Sequence, residues 1–188
     1  MDSFINKLLI YMEPPEGWAD IPKMKMQLGL QVLLHNMIMI GSILLFSKLI
    51  NIFSEATILL FAYGLLKLTA GGVHFSKSLY CLLATGTFVV TGVMIAKYIH
   101  LPFSTIVLLY ITCVIVLWII GPQGTTNNPI APAYYHTLKI RTVVISIGYF
   151  VISFFCHKMK LQISNLLLIS IIFETISLLP NKLRELSR

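Results

Sequence analysis

The chain has 188 residues, 57% of them hydrophobic and only 11% charged, with a mean hydropathy of +0.86. A water-soluble domain carries about 25% charged residues, so the composition excludes a soluble globular protein and makes lipid the solvent. The formal net charge of +7 is spread over separate loops rather than along one stripe, which excludes nucleic acid as the partner and points to membrane orientation.

Residues 1 to 13 are too few to cross a bilayer. Phe4, Ile5, Leu8, Leu9 and Met12 recur at helical spacing, with Asp2, Asn6, Lys7 and Glu13 elsewhere. That pattern predicts an amphipathic helix lying in the membrane interface; a first helix packed on a bundle is the plainer alternative. Pro14, Pro15, Gly17 and Pro22 then break the helix, and Trp18 is placed to anchor at the headgroup level. The first residues lack the charged start, apolar middle and small-residue exit of a cleavable signal.

Apolar segments follow at about 28–50, 55–70, 78–98, 102–120, 140–157 and 162–179. Spanning-length runs separated by short polar breaks predict an all-α, polytopic integral membrane protein with about six transmembrane helices after the interfacial helix. The period-two alternation of a β-barrel is missing. The second, fifth and sixth segments are close to the lower limit for spanning. The chain has no internal repeat. It reads as one membrane-embedded domain over 1–188: an amphipathic helix and Pro-rich link at 1–27, a bundle at 28–179 and a basic cytoplasmic tail at 180–188.

Positive charge sets the expected orientation. With a cytoplasmic N-terminus and six spans, Lys7, Lys23, Lys25, Lys67, Lys77, Lys139, Arg141, Lys182, Arg184 and Arg188 lie inside. Only Lys48, Lys97, Lys158 and Lys160 lie outside. The bias predicts both termini in the cytoplasm of a multi-pass cell-membrane protein.

Lys67 to Cys81 reads K-L-T-A-G-G-V-H-F-S-K-S-L-Y-C and gathers chemistry rare elsewhere in the chain. A thiol becomes a nucleophile when a base such as histidine is within reach. His74 and Cys81 are seven residues apart. On one unbroken helix their Cα atoms would stand roughly 10 Å apart, and the tilt of side chains toward the helix start carries His74 away from Cys81. A direct contact therefore needs a break. Gly71–Gly72 ends the preceding helix, and Ser76 suits the N-cap of a helix from Lys77. His74 then lies in the loop and folds back over a Cys81 near the helix N-terminus, where the helix dipole and Lys77 favour a thiolate.

Backbone N–H groups from Gly71 to Val73 are candidates to stabilise an oxyanion. Ser78 is only a candidate third member. The bland alternatives are a packed histidine and cysteine, and a glycine pair that serves a tight turn or close helix approach. No HExxH, CxxC or GxSxG is present, so neither a metal nor a cofactor is expected. The three cysteines, Cys81, Cys113 and Cys156, form no disulfide framework. Cys113 reads as a small apolar residue in the fourth span.

The same stretch resembles the accessory gene regulator B (AgrB) family of membrane cysteine endopeptidases. A basic residue, a glycine pair, a histidine and a cysteine seven residues later fall at Lys67, Gly71, Gly72, His74 and Cys81. The chain length, hydrophobic profile, amphipathic start and the loop P-Q-G-T-T-N-N-P from Pro122 to Pro129 are also similar. The family usually has Arg where Lys67 stands, and the loop here, with Gln123 and Asn127–Asn128, is less acidic than expected.

The resemblance implies a catalytic pair of His74 and Cys81 and a short amphipathic propeptide with an acidic C-terminal tail as substrate. Cleavage before the tail would leave an acyl thioester on Cys81, which an internal cysteine or serine of the peptide converts to a thiolactone or lactone for quorum sensing. Lys67, Gly71, Gly72, Lys139 and Arg141 are the expected substrate-binding residues, the cations by charge pairing with the tail; for Lys139 and Arg141 a role in topology alone is the rival. Glu174, a carboxylate deep in an apolar segment, should face a partner or cavity, with Lys139 or Arg141 as possible partners. The oligomeric state is open, with a homodimer among the options. A transporter would survive loss of Cys81, and a non-catalytic scaffold would bind peptide without cutting it.

Overall fold

A computed structural model describes residues 20–72, 78–99, 101–124, 130–159 and 161–186. Six helices follow one another among the described residues: α1 (Asp20–Leu49), α2 (Phe53–Ala70), α3 (Ser78–Tyr98), α4 (Phe103–Ile120), α5 (Pro132–Lys158) and α6 (Ile163–Leu186). The fold is all-helical. The expected interfacial helix at 1–13 and its Pro-rich link through Trp18 lie outside the described residues.

Apolar stretches long enough to cross a membrane occur in five helices, at Val32–Leu49, Phe53–Ala70, Leu79–Tyr98, Phe103–Ile120 and Pro132–Lys158. An 18-residue helix is about 27 Å long, close to the hydrocarbon thickness. The protein is a multi-pass membrane protein. In α6 the apolar stretch Ile163–Leu179 is shorter, as the marginal sixth segment suggested.

Three helices run beyond the expected segments. α1 begins at Asp20, so Pro22 does not break the helix. It stands in the first turn, where a missing N–H costs no hydrogen bond. α5 begins at Pro132, eight residues before the expected 140, with Pro in the first turn after an extended Ala131. Lys139 therefore lies on helix, not at a loop's re-entry. α6 continues through Pro180 to Leu186, so most of the expected basic tail is helical. In each case hydropathy marked where a helix meets lipid, not where its backbone begins or ends.

The chain divides into two compact units, residues 1–45 and 46–188. The first carries most of α1, whose Val32, Leu33, Met37, Ile38 and Leu45 are exposed, as lipid-facing side chains should be. The second holds α2 to α6. Here α6 is the central helix, packed against α2, α3, α4 and α5. Leu166, Leu168, Ile171 and Leu178 are buried along it, as are Ser170 and Glu174. Its neighbours explain its composition. A helix that faces protein on several sides needs less hydrophobicity and tolerates polar groups that lipid would not. The core continues through Leu66, Ile106, Tyr110, Leu117 and Tyr149, and Cys113 is buried in it, in keeping with its reading as an apolar filler.

The bundle has two polar ends. At one, Lys97 of α3 pairs with Glu55 of α2 at 2.8 Å. Asn165 of α6 there donates to the carbonyls of Ala96 and Ile99, at 3.2 and 3.0 Å. Ser153 and Ser164 share a hydrogen bond of 2.7 Å. The opposite end holds the end of α2, the start of α3, the turn after α4 and Glu174.

Candidate active site

The last turn of α2 carries Lys67, and Gly71 closes the helix by donating its N–H to the Lys67 carbonyl at 3.0 Å. That donor is spent on the cap, which removes it from the expected oxyanion group. Gly71 and Gly72 both have positive φ, +84° and +108°, a conformation that glycine reaches without a Cβ penalty. The glycine pair ends the helix as the sequence indicated.

Close approach is its second purpose. Gln123 donates its backbone N–H to the Ala70 carbonyl at 2.8 Å, and an isolated parallel bridge joins Gly71 to Gln123. A Cβ on Gly71 would collide with the Gln123 carbonyl oxygen. At Gly72 it would stand 2.7 Å from Ser177 Oγ and 3.7 Å from Glu174 Oε1. The pair thus lets the end of α2 touch both the turn after α4 and the face of α6.

Cys81 is the fourth described residue of α3, half-buried and a free thiol. Seven residues on, Phe88 stacks on Phe173 of α6 with centroids 3.5 Å apart, and lies 5.1 Å from the Tyr63 ring of α2. This aromatic contact fixes the middle of α3 against α2 and α6. His74, Ser76 and Lys77 lie outside the described residues, and so do residues 125–129 of the loop.

Lys67 is half-buried and donates to the Tyr63 hydroxyl at 3.2 Å. Tyr63 is buried between the helices, its ring 5.1 Å from that of Phe88 on α3 and 5.9 Å from that of Phe173 on α6. Ser177 Oγ donates to the Glu174 carbonyl at 2.9 Å and approaches Glu174 Oε2 at 3.4 Å. Glu174 is fully buried. Among the described residues no ion pair joins Glu174 to Lys139 or Arg141, the two basic partners expected for it. Lys139 instead places its ammonium 4.5 Å from the centre of the Trp118 ring, and Arg141 is exposed. Both sit on the early turns of α5, which Tyr135 joins to the turn after α4 through a 3.3 Å bond to the Gly121 carbonyl.

The structure therefore gathers Lys67, Gly71 and Gly72 at the end of α2, and sets Cys81 near the start of α3 and Lys139 and Arg141 near the start of α5, at the same end of the bundle. Tyr63, Gln123 and Ser177 join the cluster without a sequence signal, since each is an unremarkable residue brought in by packing. Glu174 did carry a signal, its charge at membrane depth.

A multi-pass helical bundle with a half-buried thiol beside a glycine-closed turn, a lysine and a buried carboxylate has the ingredients of a membrane enzyme site. The family model for accessory gene regulator B matches residues 5–178. The chain belongs to the AgrB family, a family of membrane peptidases. It is similar to accessory gene regulator protein B of Staphylococcus aureus (strain MRSA252), at 24% identity over 95% of this chain and 94% of the relative. The S. aureus strain JH9 protein of that name is 22% identical over the same shares. A putative AgrB-like protein of Clostridium acetobutylicum is 24% identical over 89% of this chain and 80% of the relative. No solved structure matches the chain.

Proposed function

We propose that the protein is a membrane cysteine endopeptidase that removes the C-terminal tail of a short autoinducer propeptide and promotes its cyclisation. The family match from residue 5 to residue 178 carries this reading. The half-buried Cys81 thiol, at the beginning of α3 and beside the glycine-closed end of α2, supports it.

Cys81 Sγ attacks the carbonyl carbon of the bond before the tail, and His74 takes the thiol proton. The tetrahedral intermediate expels the tail as an amine, which receives that proton from His74, and an acyl thioester remains on Cys81. An internal cysteine thiol or serine hydroxyl of the peptide then attacks the thioester. The ring closes as a thiolactone or lactone, and Cys81 leaves as a thiol. Exchange of one thioester for another is close to energy-neutral, so the thiolactone needs no nucleotide. Water must be kept out until the ring closes, which a lipid-bounded site favours.

Lys139 and Arg141 hold the acidic tail by charge pairing. They sit on one end of the bundle with the cluster of Lys67 and Cys81. The positive-inside rule puts that end in the cytoplasm, with α6 as a sixth span.

The test is purified protein in lipid vesicles, incubated with a candidate propeptide and followed by mass spectrometry, comparing wild type with Cys81→Ala and His74→Ala. The expected result is a released tail and a covalent peptide adduct, both lost in Cys81→Ala. Cleavage at the wild-type rate by Cys81→Ala would refute the proposal. Peptide that binds to every form but is cut by none would favour a scaffold.

A further inference from the structure

We infer that Trp118 is a specificity-determining residue: it holds the Lys139 ammonium at the membrane boundary, beside the turn after α4, where the ammonium meets a carboxylate of the substrate's tail. The inference rests on the reading of Lys139 as a tail-binding residue and deepens it.

Among the described residues the Lys139 ammonium enters no ion pair. It stands 4.5 Å from the centre of the Trp118 ring, inside the roughly 6 Å over which a ring face attracts a cation. The ring attracts the charge without neutralising it, and a lysine ammonium carries three donors. Lys139 therefore keeps N–H groups for an anion. Its place suits one that arrives from water. Lys139 directly precedes the apolar segment from 140, and Trp118 lies in the last turn of α4 with 47% of its surface exposed. An indole at the end of a span belongs at headgroup level. Unheld, a lysine on four flexible carbons spreads its charge over many positions; held against a ring, it presents that charge at one place.

The turn after α4 fixes where that place is. Tyr135 and Lys139 are four residues apart and so share a face of α5. Tyr135 donates its hydroxyl to the Gly121 carbonyl at 3.3 Å, so two contacts one turn apart join α5 to the end of α4. Two residues past Gly121, Gln123 donates its N–H to the Ala70 carbonyl at 2.8 Å and bridges Gly71. The ring thus belongs to the helix whose end touches the glycine turn, and it sets Lys139 on that side of α5. Arg141, two residues on, lies on roughly the opposite side of the helix and is exposed. Trp118 orients one of the two cations and not the other.

The test measures binding of two tryptophan-free forms of the candidate propeptide to full-length Cys81→Ala protein in phosphatidylcholine vesicles. One form has the acidic tail, and in the other the tail acids are replaced by their amides. The readout is the ratio of the two Kd values, amide over acid, because a general loss of fold moves both together. Trp118→Leu should lower that ratio about two- to fivefold, and Trp118→Phe, which keeps a ring, should lower it less. Combined with Lys139→Gln, Trp118→Leu should change the ratio no further; combined with Arg141→Gln, it should keep its full effect. Trp18 and Trp118 are the two tryptophans of the chain, so in a Trp18→Phe protein the emission reports Trp118 alone. The acidic peptide should shift that emission, the amide peptide should not, and Lys139→Gln should abolish the shift. If protein with Trp118 intact binds both tails equally, the reading of Lys139 and Arg141 as tail-binding residues fails, and the inference with it. If that protein favours the acidic tail but Trp118→Leu favours it as strongly, or lowers the ratio equally with Lys139→Gln present, the inference alone is overturned.

Discussion

The two ends of the bundle are built on different terms. Where α2 begins and α3 finishes, polar groups are matched: Glu55 with Lys97, Asn165 with two carbonyls, Ser153 with Ser164. At the opposite end the backbone enters conformations suited to glycine at Gly71 and Gly72. Both of the buried side-chain oxygens that lack a partner among the described residues, Gln123 Oε1 and Glu174 Oε1, belong to that end. Buried polar groups are almost always satisfied, so the finding of two such oxygens at one end, and none at the other among the described residues, sets the two ends apart. Local rules are broken where function is located.

Substitutions can break or sharpen this contrast. The largest effect is expected for Cys81→Ala, which should cut tail release by at least about 10³-fold. Its stability should stay within about 1 kcal/mol of wild type, because the truncated side chain is small and half-buried. Matched activity and melting measurements check both halves. Gly71→Val comes next. It introduces a Cβ into the Gln123 carbonyl at a positive φ, so a loss of at least about 2 kcal/mol in stability is expected, with activity falling alongside it. A Gly71→Val protein with wild-type melting and turnover would show that the close approach is not required.

At the matched end the effects should be on stability alone. Asn165→Leu removes two hydrogen bonds to carbonyls and should cost about 1–2 kcal/mol while leaving tail release per folded molecule intact. A drop in that specific activity would mean the two ends are coupled. Lys97→Gln should be the mildest change, under about 1 kcal/mol, since its ion pair with Glu55 is partly solvated. Urea titration or thermal melting would detect anything larger.

Much of the fold was legible because lipid imposes a simple rule: spans must be long, apolar and helical. The all-helical class and the middles of the helices follow from that rule. The early start of α5 does not, because Pro132 to Lys139 reads P-A-Y-Y-H-T-L-K, a helix outside the most apolar stretch. The site was legible in its local part only. Gly71, Gly72 and Cys81 sit within one short stretch, and their spacing suggested a helix break, as the end of α2 at Ala70 bears out; the expected N-cap at Ser76 lies outside the described residues. Glu174 is far from the glycine pair in sequence, and nothing at either position names the other; the close approach of Gly72 to α6 brings them together. The depth of Glu174 announced a partner or a cavity without saying which.

The bridge between Gly71 and Gln123 makes the connection between α4 and α5 unequal along its length. Its anchor is main chain to main chain, so the bridge itself depends on no side chain at position 123, whereas position 71 has no room for one. A residue inserted between Gly121 and Gln123 would shift the register at Gly71 and disturb the thiol's surroundings. Tags, labels or grafted peptides meant to leave the fold intact therefore belong away from the stretch Gly121 to Gln123.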